Sequence, residues 1–407
     1  MKFDETFLPE NWKLVDLPDL VFFQEGPGVR KHQFTENGVK LINVKNIVDN
    51  KLVIENTETH ISEEEAKGRY SHFLVDEGDL IIASSGIKVD YFHKKIAFVE
   101  KKHIPLCMNT STIRFKSLNS TILDISYFKH FMKTPFFAKQ VQFHITGSAQ
   151  LNFGPSHLKK MKVVLPPIET QKKIVEILEN AEKLKEWRAE ADELANEYLK
   201  SVFLEMFGDP VKNRKGWDLF KFGDVGKLER GKSKHRPRNA PELLGGPYPL
   251  IQTGEVAGSG GYIKNYTQTY SEIGLKQSRM WPKGTLCITI AANIAKTGIL
   301  TFDACFPDSI VGFTPNKHVK VEYVQHWISF LQKILEDRAP ESAQKNINLK
   351  ILSNLEIPIP PLGLQEKFVE ISEKLNQLKT YQFQSKQEID NLFNTLMQKA
   401  FKGELVC

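Results

Sequence analysis

Five cations fall within nine residues: Arg230, Lys232, Lys234, Arg236 and Arg238, spaced by Gly231, Ser233 and His235 and free of acids. Arginine can grip the O6 and N7 edge of guanine with two hydrogen bonds, while lysine, serine and backbone amides contact phosphate oxygens. Arg30-Lys31-His32-Gln33 holds a similar early place in the first half of the chain. Two glycine-bearing loops, Ala83-Ser84-Ser85-Gly86-Ile87-Lys88 and Ala291-Ala292-Asn293-Ile294-Ala295-Lys296-Thr297-Gly298, follow matched hydrophobic runs. Their short side chains let a backbone approach a ligand closely, and Lys88, Asn293 and Lys296 supply groups for a phosphate or a base. Gln150 with Asn152, and Gln344 with Asn346, complete the set inside a repeated Ser-Ala-Gln-x-Asn segment. Any one of these positions alone reads as a solvated turn. As a set mirrored in two halves, they favour nucleic acid.

The catalytic patterns fail on context. Gly226-Lys227-Leu228-Glu229-Arg230-Gly231-Lys232-Ser233 matches a P-loop letter for letter. A P-loop must open a helix, and Pro237 and Pro241 forbid one here. Asp90 with Glu100 and Lys102 resembles the spacing of a metal-dependent nuclease, a pattern so degenerate that chance accounts for it. The two Pro-Pro pairs lack the Asp or Asn before and the aromatic after that an aminomethyltransferase loop needs, and no HExxH or GxSxG occurs. Cys107, Cys287, Cys305 and Cys407 form no CxxC pair, which predicts reduced thiols rather than a zinc site. The expectation is a noncatalytic chain with no cofactor and no metal.

The elements that must position these loops come in duplicate. Leu165-Pro166-Pro167-Ile168-Glu169-Thr170-Gln171 returns as Ile359-Pro360-Pro361-Leu362-Gly363-Leu364-Gln365, an offset of 194 (365 − 171) that also joins Phe207 to Phe401. Upstream, Gly78-Asp79-Leu80 matches Gly284-Thr285-Leu286 at 206 (284 − 78), so the second copy is 12 residues shorter (206 − 194) in its middle. Solenoid repeats run about 20–50 residues, so this is a duplicated domain-plus-helix unit. From Gln171 to about residue 206, and from Gln365 to about Phe401, apolar residues recur at helical spacing. The first stripe runs through Ile174, Ile177, Leu178, Ala181, Leu184, Ala191, Leu194, Ala195, Tyr198 and Val202. Helices this long with narrow stripes call for one another as antiparallel partners, the alternative being that each packs on its own domain. Their faces are rich in carboxylates, which repel phosphate and place the nucleic-acid contacts elsewhere. The intervening blocks carry short β-rich runs broken by glycine and proline, with one helix near the end of each (about 121–139 and 320–336). The predicted fold class is α+β: residues 1–165 and 214–359 form two domains of irregular, mostly antiparallel sheet, and 166–213 and 360–407 form the long helices.

The 407 residues allow two or three domains, the net charge of +6 permits a polyanion partner, and 41% hydrophobic content is ordinary for a globular chain. No apolar run approaches the roughly 20 residues that span a bilayer, and no signal-peptide core follows Met1, so a cytoplasmic protein is expected.

The order domain, long helix, domain, long helix, with its repeated Pro-Pro…Gln helix start and Gly147-Ser148-Ala149-Gln150 loop, resembles the specificity subunit of Type I restriction-modification systems. The resemblance covers the whole chain. It implies two target-recognition domains, each reading one half of an asymmetric bipartite site in double-stranded DNA, on an antiparallel coiled coil that sets the spacer. It also implies two methyltransferase subunits as partners, with restriction subunits that translocate DNA joining to form the full endonuclease. Glu341 replaces the matching Gly147, so the two loops need not follow one backbone path. Two other classes stay open on the residues alone. One is a coiled-coil adaptor with no DNA role; the other is a self-contained metal-dependent nuclease using Asp90, Glu100 and Lys102, or an ATPase using Lys232. Trp187, Leu194 and Tyr198 are candidates either for partner docking or for packing inside the coiled coil.

Overall fold

The computed structural model describes residues 8–55, 57–87, 89–144, 151–291, 294–338 and 347–405. The chain forms two compact units, residues 1–187 with 386–407, and residues 188–385. Each therefore contains one sheet domain and a half of each long helix.

In the first unit the central sheet runs Val21–Glu25, Thr112–Ser117, Leu80–Ala83, Ile96–Phe98, all antiparallel. Leu80–Ala83 is buried along its whole length, as a continuous apolar run requires when both faces are covered. A second sheet orders Leu106–Met108, Val39–Ile42 and His60–Ile61, with its first pair parallel. The second unit repeats this plan. Its central sheet runs Gly226–Arg230, Ile310–Pro315, Leu286–Thr289, Thr297–Leu300, then adds Tyr262–Ile263 as a parallel edge. Its second sheet again contains a parallel pair, Leu244–Leu250 with Ala304–Cys305. Gly78 and Gly284 both take φ +86°, the left-handed turn that glycine adopts without strain, just before the buried central strand. The α+β reading with mostly antiparallel sheets holds.

One expectation is corrected. The helix expected over about 121–139 is two helices, α1 (Ile125–Met132) and α2 (Pro135–His144). Pro135 cannot donate its missing N–H inside a helix but fits the first position of a new one. The second unit has no proline there, and its α4 (Val321–Arg338) runs unbroken.

The long helices are α3 (Ile168–Phe207), which precedes α4 in the chain, and α5 (Leu362–Lys402). Each opens on the repeated glutamine, which is fully buried in both copies. Gln171 donates to Ile122 O and Pro166 O and accepts from Asp124 N; Gln365 donates to His318 O and Pro360 O and accepts from Lys320 N. The glutamine satisfies carbonyls at the Pro-Pro turn and locks the helix start to the domain.

Within the first unit, Lys185 pairs with Asp390 at 2.7 Å, and Ala400 shares a core with Ile174 and Leu178. Within the second, Phe203 and Phe207 pack on Phe368, with ring centroids 5.5 and 5.4 Å apart. In both units the helix segments are antiparallel. Phe401 packs on Tyr127, whose hydroxyl donates to Val164 O; Phe207 packs on Tyr323, whose hydroxyl donates to Pro358 O. Phe203, Phe207 and Phe368 are buried and each contributes about 2 kcal/mol of burial, whereas Phe401 is half-buried.

The predicted stripe holds at Ile174, Leu178, Ala181, Ala195 and Val202, which are buried, but it includes the exposed Leu184, Leu194 and Tyr198 and omits the buried Leu199 and Phe203. Ala195 and Leu199 are buried, whereas Leu194, Tyr198 and Trp187 are exposed (55%, 55% and 62%). A one-residue shift turns a helix face by about 100°. Cys107, Cys287 and Cys305 are buried free thiols, and burial pushes Cys107 up to about 12. Among the described residues no helix is long and apolar enough to cross a membrane.

Candidate nucleic-acid interface

In each unit the candidate loops gather at one end of the central sheet, held by the same backbone bonds. In the first unit Gly26 N donates to Thr112 O, Ser84 N to Ser111 O, and Phe153 N to Ser84 O, at 3.0, 2.8 and 3.0 Å. In the second, Gly231 N donates to Ile310 O, Ile290 N to Ser309 O, and Ile347 N to Ile290 O, at 2.9, 3.0 and 3.0 Å. The loops after Glu25, Ala83 and Asn109 thus meet at one place, as do those after Arg230, Thr289 and Pro307. Both Gly26 and Gly231 must be glycine: a Cβ would sit 2.2 Å from Asn109 O in one and 2.3 Å from Pro307 O in the other.

The five cations of the second unit are not five free charges. Arg230 donates through Nε and Nη2 to the Asp308 carbonyl, at 3.0 and 2.7 Å. Arg238 Nη2 forms a short ion pair with Asp308 Oδ1, and Arg236 Nη2 lies 3.7 Å from Oδ2. Arg236 Nη1 also donates to Ser233 O and His235 O. Lys232 and Lys234 are exposed, with no ion-pair partner among the described residues. The loop backbone is fixed by Gln277, whose Oε1 accepts from Lys234 N and His235 N at 2.6 and 3.1 Å, and by Ser278 Oγ donating to Lys232 O. Beside it, Arg279 pairs with Glu229 at 2.8 Å and lies 4.1 Å over the Trp281 ring. The hydrogen bonds from Arg279 and Lys227 hold the Glu229 carboxyl below its usual range.

In the first unit Arg30 and Lys31 are exposed at the equivalent place. Their short turn is tied down by Gln33, which accepts from Arg30 N and donates to Glu65 Oε1 and Tyr70 OH. Lys296 departs from the expected cluster. Its ammonium donates to Gln332 at 3.2 Å and lines a cavity of about 500 Å3 with Lys200, His326 and Lys379, so it does not join Asp308. Lys88, Gln150, Asn293, Gln344 and Asn346 lie outside the described residues, and for Asn152 only the strand Leu151–Asn152, paired with Ser85–Ile87, is described. Asp308, Gln277 and Arg279 were missed by the sequence reading. Asp308 sits 70 residues from Arg238, beyond any local pattern.

The rival chemistries find no support in the geometry. The P-loop lookalike is an edge strand, Gly226–Arg230, and the following segment forms a loop instead of a helix. Glu100 is paired with Lys102 at 2.9 Å on the surface, and its backbone N–H donates to His103 Nδ1 at 3.0 Å in a short turn. Among the described residues no group of three His, Cys, Asp or Glu is placed to hold a metal.

The profile of the type I restriction modification DNA specificity domain matches this chain twice, over residues 9–192 and 214–391. The chain belongs to that family. It is a DNA sequence-specificity subunit, and the two matches fall on the duplicated halves. Over 417 aligned residues this specificity subunit is 22% identical to the protein of Methanocaldococcus jannaschii assigned as the MjaX type I restriction enzyme specificity subunit, covering 98% of one chain and 94% of the other. The fold matches a chain from a solved type I restriction-modification assembly, with TM-score 0.60, 18% identity and 98% and 99% coverage. It also matches the S subunit of the M. genitalium type I system, with TM-score 0.57, 14% identity and 98% coverage of both chains.

Proposed function

We propose that this chain is the noncatalytic DNA-reading subunit of a type I complex, in which residues 1–165 and 214–359 each read one half of an asymmetric bipartite site. Residues 166–213 and 360–407, the long helices, set the spacer and dock two methyltransferase subunits. Catalysis resides in those partners and in the restriction subunits that join them, in the cytoplasm.

The observation that carries this reading is one backbone frame, built twice, bearing unlike side chains at the same loop end. Glu25-Gly26-Pro27-Gly28-Val29 occupies in one unit the place that Arg230-Gly231-Lys232-Ser233-Lys234 occupies in the other. Equal frames with different chemistry suit the reading of two different sequences. Arg30, Lys31, Lys88, Gln150 and Asn152 serve one half-site; Arg230, Lys232, Lys234, Arg238, Asn293, Gln344 and Asn346 serve the other, with Arg236 bracing their loop and Lys296 standing apart on Gln332. The adenine must leave the stack to be methylated, and that pocket belongs to the partner.

The test is co-expression with the methyltransferase subunit in a methylation-free host, followed by single-molecule sequencing for modified adenine. A bipartite motif with two unlike halves and a constant gap is expected. Exchange of residues 214–359 for those of a relative should change one half only. Unmodified DNA from a folded, assembled complex would sink the proposal in favour of an adaptor.

A further inference from the structure

Asp308 lies in the turn before Ile310–Pro315, and three arginines of the cationic loop converge on it: Arg230 on its carbonyl, Arg236 and Arg238 on its carboxylate. The other unit supplies an internal control. The residue at the same place in its turn is Thr110, two before Thr112 as Asp308 is two before Ile310, and its hydroxyl donates to Pro27 O at 3.1 Å. Both turns therefore fasten the neighbouring loop. In the first unit the fastening is one hydroxyl on the backbone. In the second, where the loop carries arginines, it is a carboxylate on the guanidinium groups of Arg236 and Arg238 and a carbonyl on that of Arg230.

The donors already engaged differ among the three arginines. A guanidinium has five N–H groups. Arg236 directs its two terminal nitrogens to Ser233 O, His235 O and Asp308, so it serves the loop's own shape. Arg238 uses only Nη2, and Arg230 uses Nε and Nη2 on one carbonyl. Arg230 and Arg238 thus keep donors uncommitted while their stems are held, with about half of Arg238 exposed (46%). A carboxylate among five cations weakens the loop's pull on phosphate, which is the sequence-independent part of DNA affinity. What it adds is a fixed geometry, and a side chain fixed in advance loses less freedom on binding.

We propose that Asp308 is a positioning residue that presents Arg238 and Arg230 to guanine in the major groove, so that the half-site read by the second unit contains a G·C pair contacted by these arginines. The proposal rests on the reading of this loop as DNA-facing.

The experiment uses the full chain assembled with its methyltransferase partner, comparing wild type with Asp308→Asn, Asp308→Ala and Arg238→Ala. Binding is measured to the cognate duplex, to duplexes altered at each pair of either half-site, and to random DNA. Both Asp308 substitutions remove a negative charge, so affinity for random DNA should hold or rise. Discrimination at a G·C pair of the half assigned to residues 214–359 should fall about tenfold, with the other half read as before. Arg238→Ala should lose discrimination at the same pair. Unchanged discrimination in the Asp308 variants overturns the proposal. So does a fall in random-DNA affinity alongside discrimination, which would mean that Asp308 only supports the loop. A wild-type complex that cannot tell its cognate duplex from random DNA overturns the DNA-facing reading itself, an outcome visible before any variant is made.

Discussion

Beneath the sheet domains, where α1 and α4 meet the long helices, the two units solve one packing problem in opposite ways. In the first unit Glu182 of α3 lies 2.7 Å from Lys133 and 3.4 Å from Lys129, with His130 Nδ1 at 3.9 Å. The repeat register places Asn376 opposite Glu182, and Gln325, His326 and Ser329 opposite Lys129, His130 and Lys133. The glutamate and both lysines become neutral together, and the histidine stays. With shorter groups there, the second unit opens the cavity of about 500 Å3 that Asn376, Gln325, His326 and Ser329 line. The charges at these three positions are thus optional to this fold when exchanged together, although Lys200, Lys296 and Lys379 still line the second unit's cavity. An ion pair can be replaced by neutral groups at little cost, whereas removing one partner alone strands the other.

The largest effect should follow from breaking the charged set alone. Glu182→Ala leaves Lys133 and Lys129 without their anion, a loss of about 3 kcal/mol, while Asn376→Ala should cost under about 1 kcal/mol. Acid should discriminate the units in the same direction. Burial opposes the Glu182 charge, but Lys133, His130 and Lys129 outweigh it and bring the carboxyl down to about 2 from an unfolded value near 4.5. Burial pushes His130 down to about 3 and His326 to about 4. All three folded values are depressed, so each contribution is fully present at high pH and is lost as pH falls. Both units should weaken below about pH 6.5 as their histidines are driven to charge. Only the first loses the Glu182 contribution below about 4.5. Limited proteolysis across an acid series, mapped by mass spectrometry, should find residues 1–187 cut before 188–385. Simultaneous cutting would remove this contrast.

Where the two units agree, substitutions should agree as well. Gln171→Ala and Gln365→Ala each delete three hydrogen bonds at a fully buried helix start. At about 1 kcal/mol per bond, each should destabilise its own unit by about 3 kcal/mol. Denaturant unfolding of the two variants, followed by hydrogen exchange in each unit, tests the equality. Costs differing by more than about 1.5 kcal/mol would show that the repeated Pro-Pro…Gln start is not one structural device.

The helix start was legible in the chain because it is local, with two prolines, a glutamine and an apolar stripe close together, but the glutamine's partners Ile122 and Asp124, 49 and 47 residues away, were not. The long helices and the duplicated sheets were legible for the same reason, or through the repeat itself. Partners set by sheet register or helix crossing were not. Lys129 meets Glu182 across 53 residues, and Arg230 meets Asp308 across 78. Nothing near Arg230 announces that its guanidinium is already engaged, so the loop read as five equivalent cations. The stripe of α3 took in Leu194 and Tyr198 beside Ala195, of which only Ala195 faces inward, and it passed over Leu199 and Phe203, each one residue beyond a position it counted.

The smallest effect, and the finest test of the loop contrast, concerns the two lysines that Asp308 leaves free. Lys232 and Lys234 are exposed and stand at the positions of Pro27 and Val29 in the first unit. A lysine that meets phosphate releases about one counterion and reads no sequence. Lys232→Ala in the assembled complex should therefore weaken binding to every duplex alike and lower the slope of log affinity against log salt by about one, and Lys234→Ala should do the same. Titrations between low and moderate salt, on cognate and random DNA, give both quantities. A loss confined to cognate DNA with an unchanged slope would move these lysines from phosphate to bases, and the division of labour inside the loop would then run opposite to the one drawn from Asp308.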